Sequence, residues 1–173
     1  GYVASVGFGL LEIQLNKYDD AIKRFLYITQ NYPDSDKAFS GLGIAYSKKN
    51  KTSEAMDAFS RALKLNITNK PAMSNLLELS YQSNQFSQVE LTMKRYLETY
   101  PDNTDILFGL AGIQYKSNRF EDARNTLSLL LEFDPNYHLD TNIKLSKAKL
   151  ENYYFKMNKL LKEVEKIYKK KVI

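Results

Sequence analysis

The stretch Ser40-Gly-Leu-Gly-Ile-Ala-Tyr-Ser-Lys-Lys-Asn50-Lys-Thr-Ser-Glu-Ala-Met-Asp-Ala-Phe-Ser-Arg-Ala-Leu63 decides the fold. Apolar residues at helical spacing run up to Asn50, and a second helical stripe, Ala55, Phe59 and Ala62, begins just beyond it. Asparagine tolerates the left-handed backbone conformation that stops a helix at its C-terminal end. The same residue returns every 34 positions: Asn16, Asn50, Asn84, Asn118 and Asn152. Two positions after it stand Tyr18, Thr52, Phe86, Phe120 and Tyr154. A fixed interval between helix stops predicts one helix–turn–helix unit copied along the chain.

Other columns keep the same step. The small or apolar position opening the second helix reads Ala21, Ala55, Val89, Ala123 and Met157. One turn later come Phe25, Phe59, Met93, Leu127 and Leu161, then Ile28, Ala62, Tyr96, Leu130 and Val164. In the first helices Phe8, Leu42, Leu76 and Leu110 align, followed by Gly9, Gly43, Leu77 and Ala111. The closing turns read Pro33, Ile67, Pro101 and Pro135. In the first unit Phe8, Leu11 and Leu15 recur at helical spacing, and Ala21, Phe25 and Ile28 form the inner stripe expected of the second helix. Acidic pairs at Asp19-Asp20 and Glu121-Asp122 suit the positive end of a helix dipole. Glycine inside a helix costs about 1 kcal/mol relative to alanine, so Gly9 and Gly43 are read as close-packing positions. No strand precedes Gly7-Phe8-Gly9 or Gly41-Leu42-Gly43, which excludes a phosphate loop.

The 34-residue interval, Leu42-Gly43 with Tyr46, then Ala55, Phe59 and Ala62, and Asp134-Pro135-Asn136 resemble the tetratricopeptide repeat. Glu12, Ser80 and Gln114 depart from it, standing where that family usually places Tyr, and Leu77 is large where Gly or Ala is usual. Tyr18-Asp-Asp-Ala-Ile-Lys-Arg-Phe25 and Tyr32-Pro-Asp-Ser-Asp36 resemble more narrowly the repeats of bacterial cell-envelope assembly proteins. The resemblance implies an all-α fold, a right-handed superhelical solenoid of stacked antiparallel helix pairs. The repeats are expected at 2–35, 36–69, 70–103 and 104–137, with a partial capping repeat at 138–171, in a single domain spanning 1–173. Because the chain opens on Gly1, and because Val3, Val6, Leu10 and Ile13 make its first helix apolar where a terminal helix should be wettable, it is read as excised from a longer protein. Those four side chains are expected to be under-covered within the chain.

Composition narrows function by exclusion. The 173 residues are 43% hydrophobic, enough for a packed core. Cysteine is absent, which removes disulfides, thiol catalysis and zinc–thiolate sites together. The net charge of +5 is uneven. Residues 1–137 carry 15 basic against 16 acidic side chains, while residues 138–173 carry 10 lysines against 4 acids. A neutral body argues against a nucleic-acid groove along the molecule. No apolar run reaches the roughly 18 residues of an integral membrane segment, and no targeting signal marks a cytoplasmic or periplasmic location. The only histidine, His138, has no acid–base partner nearby in sequence, and no motif activates a serine or threonine. No catalytic residue, cofactor or metal site is expected, and the chain is read as not an enzyme.

The resemblance also implies a concave wall, made by the first helices, that holds a peptide of a protein partner. Its inward columns carry Val6, Leu10 and Ile13, then Ser40, Ile44, Ser47 and Lys48, then Ser74, Glu78, Tyr81 and Gln82, then Phe108, Gly112, Tyr115 and Lys116. Of these, Ile44, Tyr81, Phe108 and Tyr115 are the expected anchors, unless they pack within the narrow inside of the superhelix. Glu78 would repel a C-terminal carboxylate, so a tail clamp is not expected. The leading reading is a non-enzymatic interaction scaffold or adaptor. Two alternatives stand beside it. One is a self-assembling module, a homo-oligomer stacking through its apolar first helix and its last one. The other is an electrostatic tether using the lysines between Lys156 and Lys171. Along the last helix Met157, Leu160, Leu161, Val164, Ile167 and Tyr168 are expected on one stripe, and a polar cap accounts for the lysines, with Lys144 and Lys147 in formerly apolar columns.

Overall fold

The structure, a computed structural model, describes residues 1–137 and 150–172. Among these it contains nine α-helices and no strand. In chain order they are α1 (Tyr2–Gln14), α2 (Tyr18–Asn31), α3 (Asp36–Lys48), α4 (Thr52–Leu65), α5 (Lys70–Ser83), α6 (Ser87–Thr99), α7 (Thr104–Lys116), α8 (Phe120–Phe133) and α9 (Leu150–Val172). The chain divides into two compact units, Gly1–Thr92 and Met93–Ile173.

The corners lie where the asparagines recur. Asn16, Asn50, Asn84 and Asn118 take positive φ values of 59°, 58°, 55° and 60°. The amide following each asparagine then reaches back five residues. Lys17 N–H donates to the Glu12 carbonyl at 2.8 Å, Lys51 to Tyr46 at 3.0 Å, Gln85 to Ser80 at 3.1 Å and Arg119 to Gln114 at 2.8 Å. That bond satisfies a carbonyl orphaned by the helix end and aims the chain into the next helix. Asn152 breaks the series, because α9 runs straight through it. Asp19-Asp20 and Glu121-Asp122 open second helices, whereas the same columns here hold Phe155 and Lys156, and a lysine does not favour the start of a helix.

First helices start at a second recurring column. Ser35 Oγ accepts from the Ala38 amide at 3.2 Å, Asn69 Oδ1 from Ala72 at 3.0 Å and Asn103 Oδ1 from Ile106 at 3.0 Å. These are N-caps at 34-residue spacing.

In the first unit α1 pairs with α2, α3 with α4, and α2 also packs on α3. Phe25 is fully buried there with Ile28, Ala38, Leu42 and Ala45. Its ring occupies the space that side chains on Gly9 and Gly41 would need: a Cβ on Gly9 would lie 2.6 Å from it, and one on Gly41 would also clash. A Cβ on Gly43 would meet Phe59 at 2.6 Å. The glycines are therefore packing positions. At Gly7, by contrast, an added Cβ would meet no other part of the fold within 4 Å.

The side of α1 that enters this core is Val6, Gly9 and Ile13, while Phe8, Leu11 and Leu15, which also recur at helical spacing, are 58%, 47% and 58% exposed. A helix that is apolar all round gives periodicity no face to choose. Of the four side chains expected to be under-covered, Val3 and Leu10 are exposed but Val6 and Ile13 are buried.

In the second unit α7 pairs with α8, and α8 packs on α9. Leu127, Leu130 and Leu131 bury against Met157, Leu160, Leu161 and Val164. Tyr168 packs at the edge of this cluster, while Ile167 lies exposed beyond it. Lys159, Lys162, Lys166 and Lys169 are exposed, and Lys169 pairs with Glu165 at 2.7 Å. His138, Lys144 and Lys147 lie outside the described residues.

Two of the three departures from the usual Tyr are matched by a partner column 12 residues on. Arg24 donates through Nε to Glu12 Oε2 at 2.9 Å and through Nη2 to Oε1 at 2.6 Å. Thr126 Oγ1 donates to Gln114 Oε1 at 2.7 Å. Where Tyr46 is present, the partner column holds Ala58, and Tyr46 packs against the cluster containing it. Ser80 and Thr92 instead return their hydroxyls to their own helices, at the Leu76 and Gln88 carbonyls. The hydrogen bonds from Arg24 hold the Glu12 carboxyl below its ordinary 4.5, against the opposing effect of burial.

Three outcomes are expected. Asn50→Ala should lose about 1–2 kcal/mol of stability through the left-handed corner, while Asn50→Gly should not, as read by urea unfolding. Gly41→Ala should lose about 1–3 kcal/mol of packing against a helix-propensity gain of about 1 kcal/mol, whereas Gly7→Ala keeps only the gain; thermal unfolding compares the two. Glu12→Gln should lower stability by about 0.5–1 kcal/mol at neutral pH. Because the folded pKa of Glu12 is depressed, that difference is complete above 4.5 and disappears as pH falls through the lower folded value. Urea titrations at pH 7 and at acid pH check it.

Candidate functional site

The exposed sides of α3 and α5 in the first unit enclose a recess of about 130 Å³ lined by Ile44, Ser47, Lys48, Asn75, Glu78, Leu79 and Gln82. Five of these come from the expected inward columns, and Asn75 and Leu79 are additions. Asn75 lies one residue past the column containing Ser74, and Leu79 one past Glu78. The inward columns therefore form a band wider than one residue, because side chains lean toward the helix N-terminus and cover the preceding turn.

The chemistry of the recess is mixed. Ile44 is partly buried against the core, and Leu79 is buried. Together they give an aliphatic floor. Lys48 and Gln82 are exposed, and Glu78 is half-buried between them in chain order. Gln82 Nε2 donates to Glu78 Oε1 at 3.1 Å, and Asn75 Nδ2 to the Pro71 carbonyl at 2.8 Å. Each amide nitrogen thus spends one of its two N–H donors on α5 itself, leaving the other donor and the carbonyl oxygen, an acceptor, for a ligand.

The remaining expected residues are placed differently. Val6 and Ile13 belong to the core of the first unit, and Ser40 is buried as well. Phe108 is buried in the core of the second unit, its ring 5.8 Å from Tyr137. These four are buried and serve packing. Leu10 is exposed on α1. Tyr81 stands edge-on to Phe86 at 5.4 Å, and Tyr115 repeats the arrangement with Phe120 at 5.1 Å. Each tyrosine is half-buried, so the pair fastens a first helix to the start of its second helix while keeping one edge outward. Lys116 is exposed in the second unit.

Among the described residues no group of three or more Asp, Glu or His side chains is placed to hold a metal ion. No helix there is long and apolar enough to cross a membrane.

Two sequence models of the tetratricopeptide repeat match the chain, one over residues 6–71 and the other over residues 82–150. The chain is a tetratricopeptide repeat protein. Solved structures agree on the fold. YrrB, a TPR protein with an unusual peptide-binding site, aligns with 76% of this chain and 68% of its own, at a TM-score of 0.55 and 20% identity. A MamA protein covers 97% of this chain and 88% of its own, at 0.60 and 14%. MamA from Desulfovibrio magneticus RS-1 covers 96% and 88%, at 0.59 and 11%. No curated protein matches the sequence. At these identities the likeness establishes an all-α fold of tetratricopeptide helix pairs, the architecture of a protein–protein interaction scaffold.

Proposed function

We propose that this tetratricopeptide repeat protein is a non-enzymatic adaptor that holds an extended peptide segment of a partner on the exposed sides of its first helices. The observation that carries the reading is the recess between α3 and α5, where an aliphatic floor, a cation, a carboxylate and two acceptor amides converge within one unit. An extended strand brings a backbone N–H every second residue to one side. Acceptor amides at Asn75 and Gln82 suit those donors, and the floor of Ile44 and Leu79 suits an apolar side chain between them. Leu10 and Tyr81 extend the wall within the same unit. Tyr115 and Lys116 offer the corresponding chemistry in the second unit. YrrB carries a peptide-binding site on a related fold, which supports the same class of ligand here.

Stacking of identical copies through their terminal helices is less well supported by chemistry. The exposed side chains of α9 are dominated by lysine, whereas those of α1 are apolar, and such surfaces do not complement each other.

Random-peptide display against the intact chain tests the proposal. Selected peptides should lose at least about tenfold in affinity to Ser47→Arg, which fills the recess, and to Glu78→Lys, which reverses its charge, a loss of about 1.4 kcal/mol. Circular dichroism should stay unchanged. Peptides that bind both variants as well as the parent would place the site elsewhere.

A further inference from the structure

The last helix of the second unit, α9, has two opposed sides. Met157, Leu160, Leu161 and Val164 are buried in the cluster that α9 shares with α8, with Tyr168 at its edge. On the other side Lys159, Lys162, Lys166 and Lys170 follow at the spacing i, i+3, i+7 and i+11, all exposed, with Lys169 beside them. At 3.6 residues per turn that line runs roughly opposite the buried stripe and extends over about 16 Å. Lys169 pairs with Glu165 at 2.7 Å. Among the described residues no ion pair occupies Lys159, Lys162, Lys166 or Lys170.

Two ordinary roles account for part of this pattern. Lys169, Lys170 and Lys171 lie in the last turn of α9, where the helix dipole favours cations. That effect fades within one turn and does not reach Lys159 or Lys162. A side turned to water needs polarity but no single sign of charge. Moved back by 34 residues, Lys159, Lys162 and Lys166 become Asn125, Ser128 and Glu132 of α8, two neutral residues and an acid. The helix is also longer than the repeat requires. α2, α4, α6 and α8 end at Asn31, Leu65, Thr99 and Phe133, one column that in α9 holds Ile167. α9 continues to Val172 and puts Lys169 where the closing turns have Pro33, Ile67, Pro101 and Pro135. Of the added residues Tyr168 packs on the core while Lys169, Lys170 and Lys171 are exposed, so the extension lengthens the lysine side.

We propose that the lysine side of α9 is a docking surface for an anionic lipid bilayer, met from outside and held by charge. Two observations select that occupant. The apolar side of α9 is already spent on α8, and no described helix is long and apolar enough to cross a membrane. The contact is therefore electrostatic and not an insertion. The second observation is the kind of cation. α9 carries seven lysines and no arginine, and all five arginines of the chain lie before it. Arg24 shows what the other choice gives, gripping Glu12 with two hydrogen bonds at 2.9 Å and 2.6 Å. A planar fork of that kind suits one carboxylate of an acidic protein segment held in register, whereas a compact, hydrated ammonium on a flexible stem suits headgroup charge that rearranges beneath it. This surface is separate from the recess between α3 and α5 and adds a second kind of partner.

Flotation of the intact 173-residue chain with vesicles of phosphatidylcholine, alone or mixed with phosphatidylserine, tests the proposal. Partitioning should appear only with the anionic lipid and should disappear as salt shortens the screening length. Lys162→Gln, Lys166→Gln and Lys170→Gln together should weaken it about a hundredfold, at about fivefold per lysine. Thermal unfolding should not change, because the three side chains are exposed. Lys37→Gln, Lys64→Gln and Lys70→Gln, exposed in the first unit, remove the same charge and should weaken partitioning far less. Equal loss in the two triple variants overturns the proposal, since net charge and not the line on α9 would then bind. Partitioning onto phosphatidylcholine alone to the same extent overturns it too, as does none onto the anionic vesicles. Capture by poly-glutamate without partitioning onto vesicles also overturns it, by making an acidic protein segment the occupant. Because Ser47 and Glu78 are untouched, failure here leaves the peptide recess standing.

Discussion

A single residue in the left-handed conformation, placed at the same point in successive helix pairs, governs this chain. Asparagine at Asn16, Asn50, Asn84 and Asn118 ends each first helix and lets the next amide return to a carbonyl five residues back. That one hydrogen bond fixes where the second helix starts. It therefore fixes which side chain arrives at the crossing, so that Phe25 meets Gly9 of its own pair and Gly41 of the next. The corner is backbone chemistry, while the slot is side-chain volume, and each is useful only if the other holds register. At Asn152 there is no corner, and the residue lies within α9, Leu150–Val172.

The repeat is conserved along the chain as pairs of positions more than as single ones. Column 12 of the first unit, read alone, looks irregular: Glu12, Tyr46, Ser80, Gln114. Read with the column 12 residues later it becomes orderly. A carboxylate meets a guanidinium, a phenol ring is accompanied by a methyl group, and a carboxamide meets a hydroxyl. The carboxylate and the carboxamide that enter are paired, and in the remaining repeat Ser80 and Thr92 bond their own helices, which is what a close-packed interior demands. The Glu12–Arg24 solution is the one that brings charge into this space and so ties this corner to pH.

The parts of the fold that the sequence disclosed are those with a unique physical solution. A left-handed corner wants Asn or Gly, a tight crossing wants Gly or Ala, and a dipole wants an acid, so period and corners could be read directly. The N-caps Ser35, Asn69 and Asn103 carried the same 34-residue signal and needed only to be looked for one column earlier. What could not be read was choice of face. Val, Leu, Ile and Phe surround α1, and nothing in their order says that Val6 and Ile13 go inward while Phe8 and Leu15 do not. Phe108 posed the same problem: an aromatic side chain in an inward column serves as an anchor or as core, and only the position of Tyr137 settles it as core. The recess was half legible for a related reason, since Asn75 and Leu79 enter it by leaning over the turn before them.

A stacked architecture makes every helix side either an interface or a question. Within the first unit α3 packs on α2 and α4, and α5 on α4, so much of their surface is already interface. On α1 the outward side keeps Phe8, Leu11 and Leu15 exposed around a glycine with open space before it. The α3–α5 recess has the opposite character, with an aliphatic floor and polar edges. The first unit thus presents two exposed surfaces of different chemistry, one apolar along α1 and one rich in hydrogen-bonding groups between α3 and α5.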